Sequence, residues 1–551
     1  MNSFYKLCMC LFVCTAFSCS KNYLKEKPLD FVSSDEAFTT LSDFQASIYN
    51  LYNLTREEFF TDNPSFSDYI EGTDIIYNGA NKDAERMGDY AAALDPTGSA
   101  PLVHWTNLYK IISETNTILS RLPSSQVSAA DQAKVEAQAK FFRALAYRTL
   151  AYLYGDVPLV LNEITAPKTD FVRAPKSDVY KQAIADLTDA IANLPDISGV
   201  QDGEISNLAA EHLLAEIYLA DGKYDSSILA ASVVINNPAM ALMTNRFGTR
   251  TNIPADVYWD LFRRGNQNRS DGNTEAIWVI QFESDVPGGG NSSTSPDGYM
   301  LEYYHLPWFG GYTINGVHPF LWPTNDFWTG GIGIGVAVST AYFSDTIWKS
   351  DFSTDIRNSN YNFVRQYTYN NPATPDYYGK TVTTENPPPG ITAPSRTFYA
   401  YQSKATTPAN HPANELVSGG GLSFSGGPTY ADQYMFRLAE TYLIRAEAYM
   451  DAGDNVKAAA DINVVRARAH ASPVAPGNVT IDYILDERMR ELGVEEKRRL
   501  TLARLGMVYS RTEMANPYNA GDIKPFNNLF PIPASEIERN TTAKLAQNPG
   551  Y

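Results

Sequence analysis

The chain has 551 residues, of which 44% are hydrophobic, 19% charged and 12% aromatic, enough apolar area to bury a large core and too much for a disordered polymer. Lys and Arg number 44 against 62 Asp and Glu, a net charge of −18, which excludes affinity built on neutralising phosphates, so neither nucleic acid nor an anionic lipid surface is an expected partner. At about 150 residues per domain the length leaves room for three or four compact units, or for one large multi-layer body.

The four cysteines are Cys8, Cys10, Cys14 and Cys19, so everything after Cys19 lacks both a disulfide and a thiol nucleophile. Lys6, an apolar run over 7–17 and the small Ser18 predict a signal peptide over 1–18. The run is too short to cross a hydrocarbon layer, which takes about 20 helical residues. Ala16-Phe17-Ser18-Cys19 resembles a lipobox, which makes Cys19 the expected lipidation site and acyl chains the only membrane attachment. The six histidines are scattered, with no pair at ligand spacing, so neither a metal site nor a cofactor is expected. Gly331-Ile332-Gly333-Ile334-Gly335 lacks the helix and the acidic residue of a dinucleotide fingerprint, and neither a Gly-x-Ser-x-Gly elbow nor a Walker motif occurs.

Helical periodicity comes in blocks. Val135, Ala139, Phe142, Leu145, Ala146, Thr149 and Leu153 predict a helix over 131–154 that Gly155 ends. Tyr180, Ala183, Ile184, Leu187 and Ile191 predict another over 178–194, and 208–220 and 224–235 read as two helices joined at Gly222. Late in the chain, Met435, Leu438, Ala439, Tyr442, Leu443, Ala446 and Tyr449 form one stripe, Gly453 ends it and Asp454 caps a helix over 454–469. The expected fold is mainly α, with helix pairs resembling tetratricopeptide units that must meet in space, because long insertions separate them in sequence. The expected organisation after the signal peptide is one body: a helical half over 19–236, a loop-rich ligand-binding insertion over 237–430 and a second helical half over 431–551.

The insertion is rich in Gly, Pro, Asn, Ser and Tyr, with short alternating runs at 362–369 and 397–402 that predict strands. Between Tyr299 and Trp348 there are 13 aromatics in 50 residues, about twice the density of the whole chain. Indoles in irregular segments suit the C–H face of a sugar ring, with neighbouring amides taking the hydroxyls. The candidate ligand contacts are therefore Trp308, Trp322 and Trp328, with Tyr304, Tyr312 and Asn325 beside them. The competing reading is that such rings bury the underside of long loops, which is the better account of any single Tyr or Phe here; Trp105, on a helical stripe, reads as core. The run Glu487 to Arg504 alternates acids and bases, as a solvated or ion-paired helix face does. A pair of carboxylates for glycoside hydrolysis stays open, because 62 acids offer many pairs.

Several strings, in order along the chain, resemble one family. They are Ser34-Asp35-Glu36-Ala37-Phe38, Trp105-x-x-Leu108-Tyr109, Arg143-Ala144-x-x-Tyr147, Tyr154-Gly155-Asp156-Val157-Pro158-Leu159, Arg437-Leu438-Ala439-Glu440-Thr441-Tyr442, Asn463-x-x-Arg466-x-Arg468-Ala469, Glu487-Arg488-x-Arg490-Glu491-Leu492, Phe530-Pro531-Ile532-Pro533 and Asn548-Pro549-Gly550-Tyr551. Together they are similar to the SusD/RagB lipoproteins of Bacteroidetes. The resemblance implies an outer-membrane, cell-surface lipoprotein without catalysis that captures oligosaccharide for a SusC-like TonB-dependent transporter, with peptide capture as a variant within the family. It also implies that the stretch from Gly72 lines the ligand site, which adds Asp74, Asn78 and Arg86 to the candidates.

Overall fold

The computed structural model describes residues 38–62, 65–80, 87–291, 298–424 and 427–551. The expected signal peptide, Cys19 and Arg86 lie outside the described residues. Helix α1, Leu41–Phe60, opens where the Asp43 carboxylate accepts the Thr40 N–H at 2.8 Å, and it buries Phe44, Ile48, Leu51 and Phe59 at three- and four-residue steps. Helices α2, Ser99–Arg121, and α3, Ala129–Tyr154, pack on each other and on α1. The Ser128 hydroxyl accepts the Asp131 N–H to start α3, and Gly155 stops it at a φ of +74°, a conformation costly for any residue with a Cβ. Helices α4, Lys176–Ile191, α5, Asn207–Ala220, and α6, Tyr224–Ile235, each pack on the one before.

The later helices are α7, Leu438–Asp451, α8, Asn455–Arg468, and α9, Ile481–Glu491. Asp454 caps α8 by accepting the Lys457 N–H at 3.1 Å. Helix α7 packs against both α6 and α8, so the two helical blocks close on one another across the whole loop-rich region, and the fold is mainly α-helical with few short strands. In one place the periodic stripe misleads. Met435 is not on the helix: Gln433–Arg437 is a strand, antiparallel to Ala276–Ile280. Extended backbone at Arg437 brings its guanidinium to Glu275 at 2.8 Å, Glu491 at 2.6 Å and Glu495 at 2.6 Å, contacts that outweigh the local helical pattern.

The mixed-charge run is ion-paired, as one of its readings had it, but it is buried and not solvated. The Glu491 carboxylate accepts from Arg437, Arg468 and Arg357, and that of Glu487 from Arg357 at 2.8 Å, Arg466 at 2.7 Å and Arg490 at 3.2 Å. Arg466 also reaches Asp351 at 2.7 Å, and Arg357 pairs with Asp355 at 2.7 Å. Charges taken out of water this way are tolerable only when each has partners. Because Asp351, Asp355 and Arg357 belong to the insertion, the network pins the loop region to α8 and α9. The insertion also has its own apolar cluster, built from Phe309, Phe320, Tyr367, Phe398, Tyr399 and Tyr401. Strands fall inside both alternating runs, Phe363–Val364 pairing with Tyr401–Gln402, and Gln366–Thr368 pairing with Thr381–Thr383.

On the buried face of α2, His104 is fully buried, 2.7 Å from Glu58 of α1 and 3.3 Å from Asp68. Burial alone would push its imidazole down; the two carboxylates outweigh burial and hold it up to about 9. A histidine raised in the fold contributes stability that is complete below its unfolded pKa of about 6.5 and is lost as pH rises through the folded value. Thermal unfolding followed between pH 6.5 and 9.5 is therefore expected to show a falling midpoint, and His104→Gln to flatten that slope. An unchanged slope in the variant would assign the pH dependence to other groups.

Candidate functional site

The aromatic segment leaves the short helix Leu301–His305 and folds back over its own glycines. The Trp308 N–H donates to the Arg396 carbonyl at 3.1 Å, and the Arg396 guanidinium lies 4.7 Å from the centre of the Trp308 ring, steadied by donation to the Ile334 carbonyl at 2.6 Å. The Trp322 indole donates to the Gly333 carbonyl at 3.2 Å. Its ring rests on Gly310, where a Cβ would come within 2.5 Å of it, and Gly311 gives Trp308 the same approach at 2.6 Å. The two glycines in Pro307-Trp308-Phe309-Gly310-Gly311 thus form the floor on which both indoles settle. Phe424 stands edge-on to Trp322 with ring centres 6.0 Å apart and is 78% exposed. Leu321 and Val417 are also exposed, and Gly421 lies between Val417 and the Pro323 carbonyl. The result is an exposed apolar face around Trp322, the kind of patch that marks a contact surface.

Trp328 stands further along the segment. Asp326 accepts its N–H at 2.9 Å, and its ring packs 4.5 Å from Phe327 and 5.5 Å from Tyr361. Beside it, the Asn325 Oδ1 is 2.8 Å from His411, whose other ring nitrogen is 2.6 Å from Glu302. That fixes the amide and leaves its NH2 group without a protein acceptor among the described residues. Trp308, Trp322 and Trp328 are all half-buried, one part of each ring held by protein and the rest open to solvent.

Four of the expected contacts turn inward. Tyr304 is buried and donates to Asp62 at 2.7 Å, and Tyr312 is buried and donates to the Pro389 carbonyl at 3.1 Å, because both rings are needed under the loops. Asp74 is fully buried; its carboxylate accepts two bonds from Arg498, at 2.9 and 2.7 Å, and one from Arg511 at 3.0 Å. Burial opposes its charge, but the two guanidinium groups prevail and hold the carboxyl below the usual range. Asn78 is buried too, bridging the Glu71 carboxylate and the Ala80 N–H. Trp105 is core, as its stripe predicts, and so is Trp348.

Sequence reasoning passed over Phe424, Arg396 and Tyr361. Phe424 had a signal: it is the one aromatic in Ser418-Gly419-Gly420-Gly421-Leu422-Ser423-Phe424-Ser425-Gly426-Gly427, where so few apolar neighbours leave a ring little to bury against. Arg396 had none, because its place over Trp308 depends on a chain separation of nearly ninety residues. The acids nearest the aromatic face are engaged by the protein itself: Asp326 accepts from the Trp328 and Thr329 N–H groups, and Glu302 lies against His411 and accepts from the Thr407 N–H.

The class of protein defined here is a helical scaffold that carries half-exposed indoles on irregular loops. Residues 274–551 match the SusD family, and residues 23–219 match a family described as starch-binding, associating with outer membrane; the chain belongs to the SusD family. It is 25% identical to SusD-like protein P25 of Formosa agariphila over 98% of its own length and 97% of that protein's. Among solved structures, a laminarin binding SusD-like protein aligns with a TM-score of 0.69 at 23% identity, covering 93% of this chain and 100% of that one. Surface glycan-binding protein A of Bacteroides thetaiotaomicron in complex with laminarihexaose aligns with a TM-score of 0.66 at 19% identity, over 92% of this chain and 99% of that one.

Proposed function

We propose that this protein is a non-catalytic, cell-surface glycan-binding lipoprotein that captures oligosaccharide on the face formed by Trp308, Trp322 and Phe424, continued by Trp328 and Asn325, and delivers it to a SusC-like TonB-dependent transporter. The observation that carries the reading is the ring pair of half-exposed Trp322, seated on Gly310, and exposed Phe424. Family membership and the glycan ligands named for the two structural relatives support it. Among the described residues no helix is long and apolar enough to cross a membrane, which fits attachment through acyl chains on Cys19.

Flat rings give a shallow, partly wet site whose affinity comes from stacking and hydrogen bonds, not from net charge. Screening the purified protein against a panel of polysaccharides is expected to identify at least one ligand. Binding of a neutral glycan to the ring face should change less than about twofold when ionic strength rises from about 0.05 to 0.5 M. Incubation with that ligand should leave its chain length unchanged. Release of shorter oligosaccharides would replace this reading with a glycosidase, and failure of every glycan alongside tight binding of peptides would replace it with peptide capture.

A further inference from the structure

Near Trp328 three arginines without an ion pair lie together. Many arginines of this acidic chain sit on carboxylates, as Arg246, Arg357, Arg437 and Arg498 do, and others, such as Arg173, Arg269 and Arg499, are held by neutral groups. Arg250, Arg263 and Arg264 also have no carboxylate within ion-pair distance among the described residues, and they are neighbours in space. Arg250 lies over the rings of Trp259, at 5.5 Å, and Phe327, at 5.9 Å, and donates to the Pro408 carbonyl. Arg263 is buried 4.5 Å from the same Trp259 ring. It donates to the Trp259 and Ser403 carbonyls at 3.0 Å each, and its Nη1 is left without an acceptor. Arg264 makes no side-chain hydrogen bond among the described residues and, with Arg250, lines a polar cleft of about 600 Å3. Burial, with Arg250 close by, pushes Arg263 down to about 9 against the opposing pull of Tyr401, Asp260 and Asp256.

Two acids also line the cleft. Asp432 has its oxygens occupied by the Phe282 N–H and the Asn268 amide, each at 2.7 Å, and burial raises it to about 6. Glu283 is exposed at the rim. Neither pairs with an arginine here. Asn252, Asn410 and Tyr430 supply further polar lining. The cleft adjoins the ring face: Phe327, under Arg250, packs on Trp328, and Asn410, on the cleft wall, precedes the His411 that holds Asn325.

A guanidinium with free donors facing a polar, roomy site matches the geometry of a carboxylate or sulfate oxygen pair. We propose that the Arg250 and Arg264 cleft is an anion subsite that takes the carboxylate or sulfate ester of an acidic sugar unit, while neighbouring units of the same glycan lie on the ring face. The inference rests on the glycan-binding reading, but the cleft can be tested separately.

The purified protein is titrated calorimetrically with four probes: an oligogalacturonate, a sulfated galactan oligosaccharide, neutral laminarihexaose and inorganic sulfate. At least one anionic glycan is expected to bind at least about tenfold more tightly than laminarihexaose, and to lose about tenfold or more between about 0.05 and 0.5 M salt. Arg264→Ala should remove that advantage and its salt dependence, Arg264→Lys should retain part of both, and neither should change the thermal midpoint or any neutral binding. The carboxylate and sulfate arms identify which group is read. Should no glycan bind while sulfate still raises the thermal midpoint in an Arg264-dependent way, the anion site stands and the glycan reading falls. Anionic affinity and salt dependence unaltered by Arg264→Ala, or no binding of any anionic probe, would overturn the proposal.

Discussion

Asp74→Ala is expected to cost the fold about 3 kcal/mol, because it strips the shared buried carboxylate from two buried guanidinium groups, leaving Arg498 with Glu496 alone and Arg511 with Asp482 and Asp486. Removing one member of a buried ion pair is far more damaging than never having had the pair, since the remaining charges still bear their desolvation. The expected result is a lower urea midpoint or, if the margin is small, loss of soluble protein. Asp74→Asn keeps the shape and two acceptor or donor positions but not the charge, and should fall between. A residue touching ligand would behave the other way, losing glycan affinity at an unchanged midpoint, so the two measurements separate a scaffold role from a binding role. The pH dependence has a definite sign. Asp74 is held below its ordinary value, so its contribution is present above about pH 4 and disappears as pH falls through the depressed pKa. Glu487, depressed to about 2 by Arg357, Arg490 and Arg466 against its burial, acts in the same direction, and acid unfolding should begin below about pH 4.

The second large effect is on binding. Trp322→Ala removes the central ring of the exposed face and is expected to weaken the glycan identified by screening by about 30-fold, the loss of about 2 kcal/mol typical of an aromatic anchor. Phe424→Ala removes a ring that is 78% exposed, so it should lower affinity several-fold with the thermal midpoint unchanged. Gly310→Ala offers a control that deletes no ring: its Cβ would sit 2.5 Å from Trp322, displacing the indole, so affinity should fall while the number of aromatic groups stays the same. Calorimetric titration of the three variants, with circular dichroism melts beside each, checks both halves. Normal binding by Trp322→Ala, Trp308→Ala and Trp328→Ala together would move the site away from this face.

Much of the helical scaffold could be read from residue order alone. The stripe through Val135, Phe142, Leu145 and Leu153 and the stop at Gly155 are local properties, and the structure begins and ends α3 within two residues of the expected bounds. The same local logic misplaces Met435, because the extended conformation of Gln433–Arg437 is decided by partners far off in sequence, Ala276–Ile280 and Glu275. The mixed-charge run shows a similar limit: charge alternation announces ion pairs but carries no information on whether water reaches them, and here Asp351, Asp355 and Arg357 close over it.

For the candidate site, composition located the aromatic segment but could not choose among its rings. Trp308, Trp322 and Trp328 keep part of their surface open, whereas Tyr304 and Tyr312, drawn from the same stretch, are taken by Asp62 and the Pro389 carbonyl. Periodicity, capping residues and the density of indoles are written in neighbours along the chain, so the helices and the place of the aromatic loops follow from order alone. Which side of a ring meets solvent, that Phe424 joins Trp322, and that Arg250, Arg263 and Arg264 gather without an ion pair depend on segments brought together across tens to hundreds of residues. Burial is a property of that packing, and no local pattern encodes it.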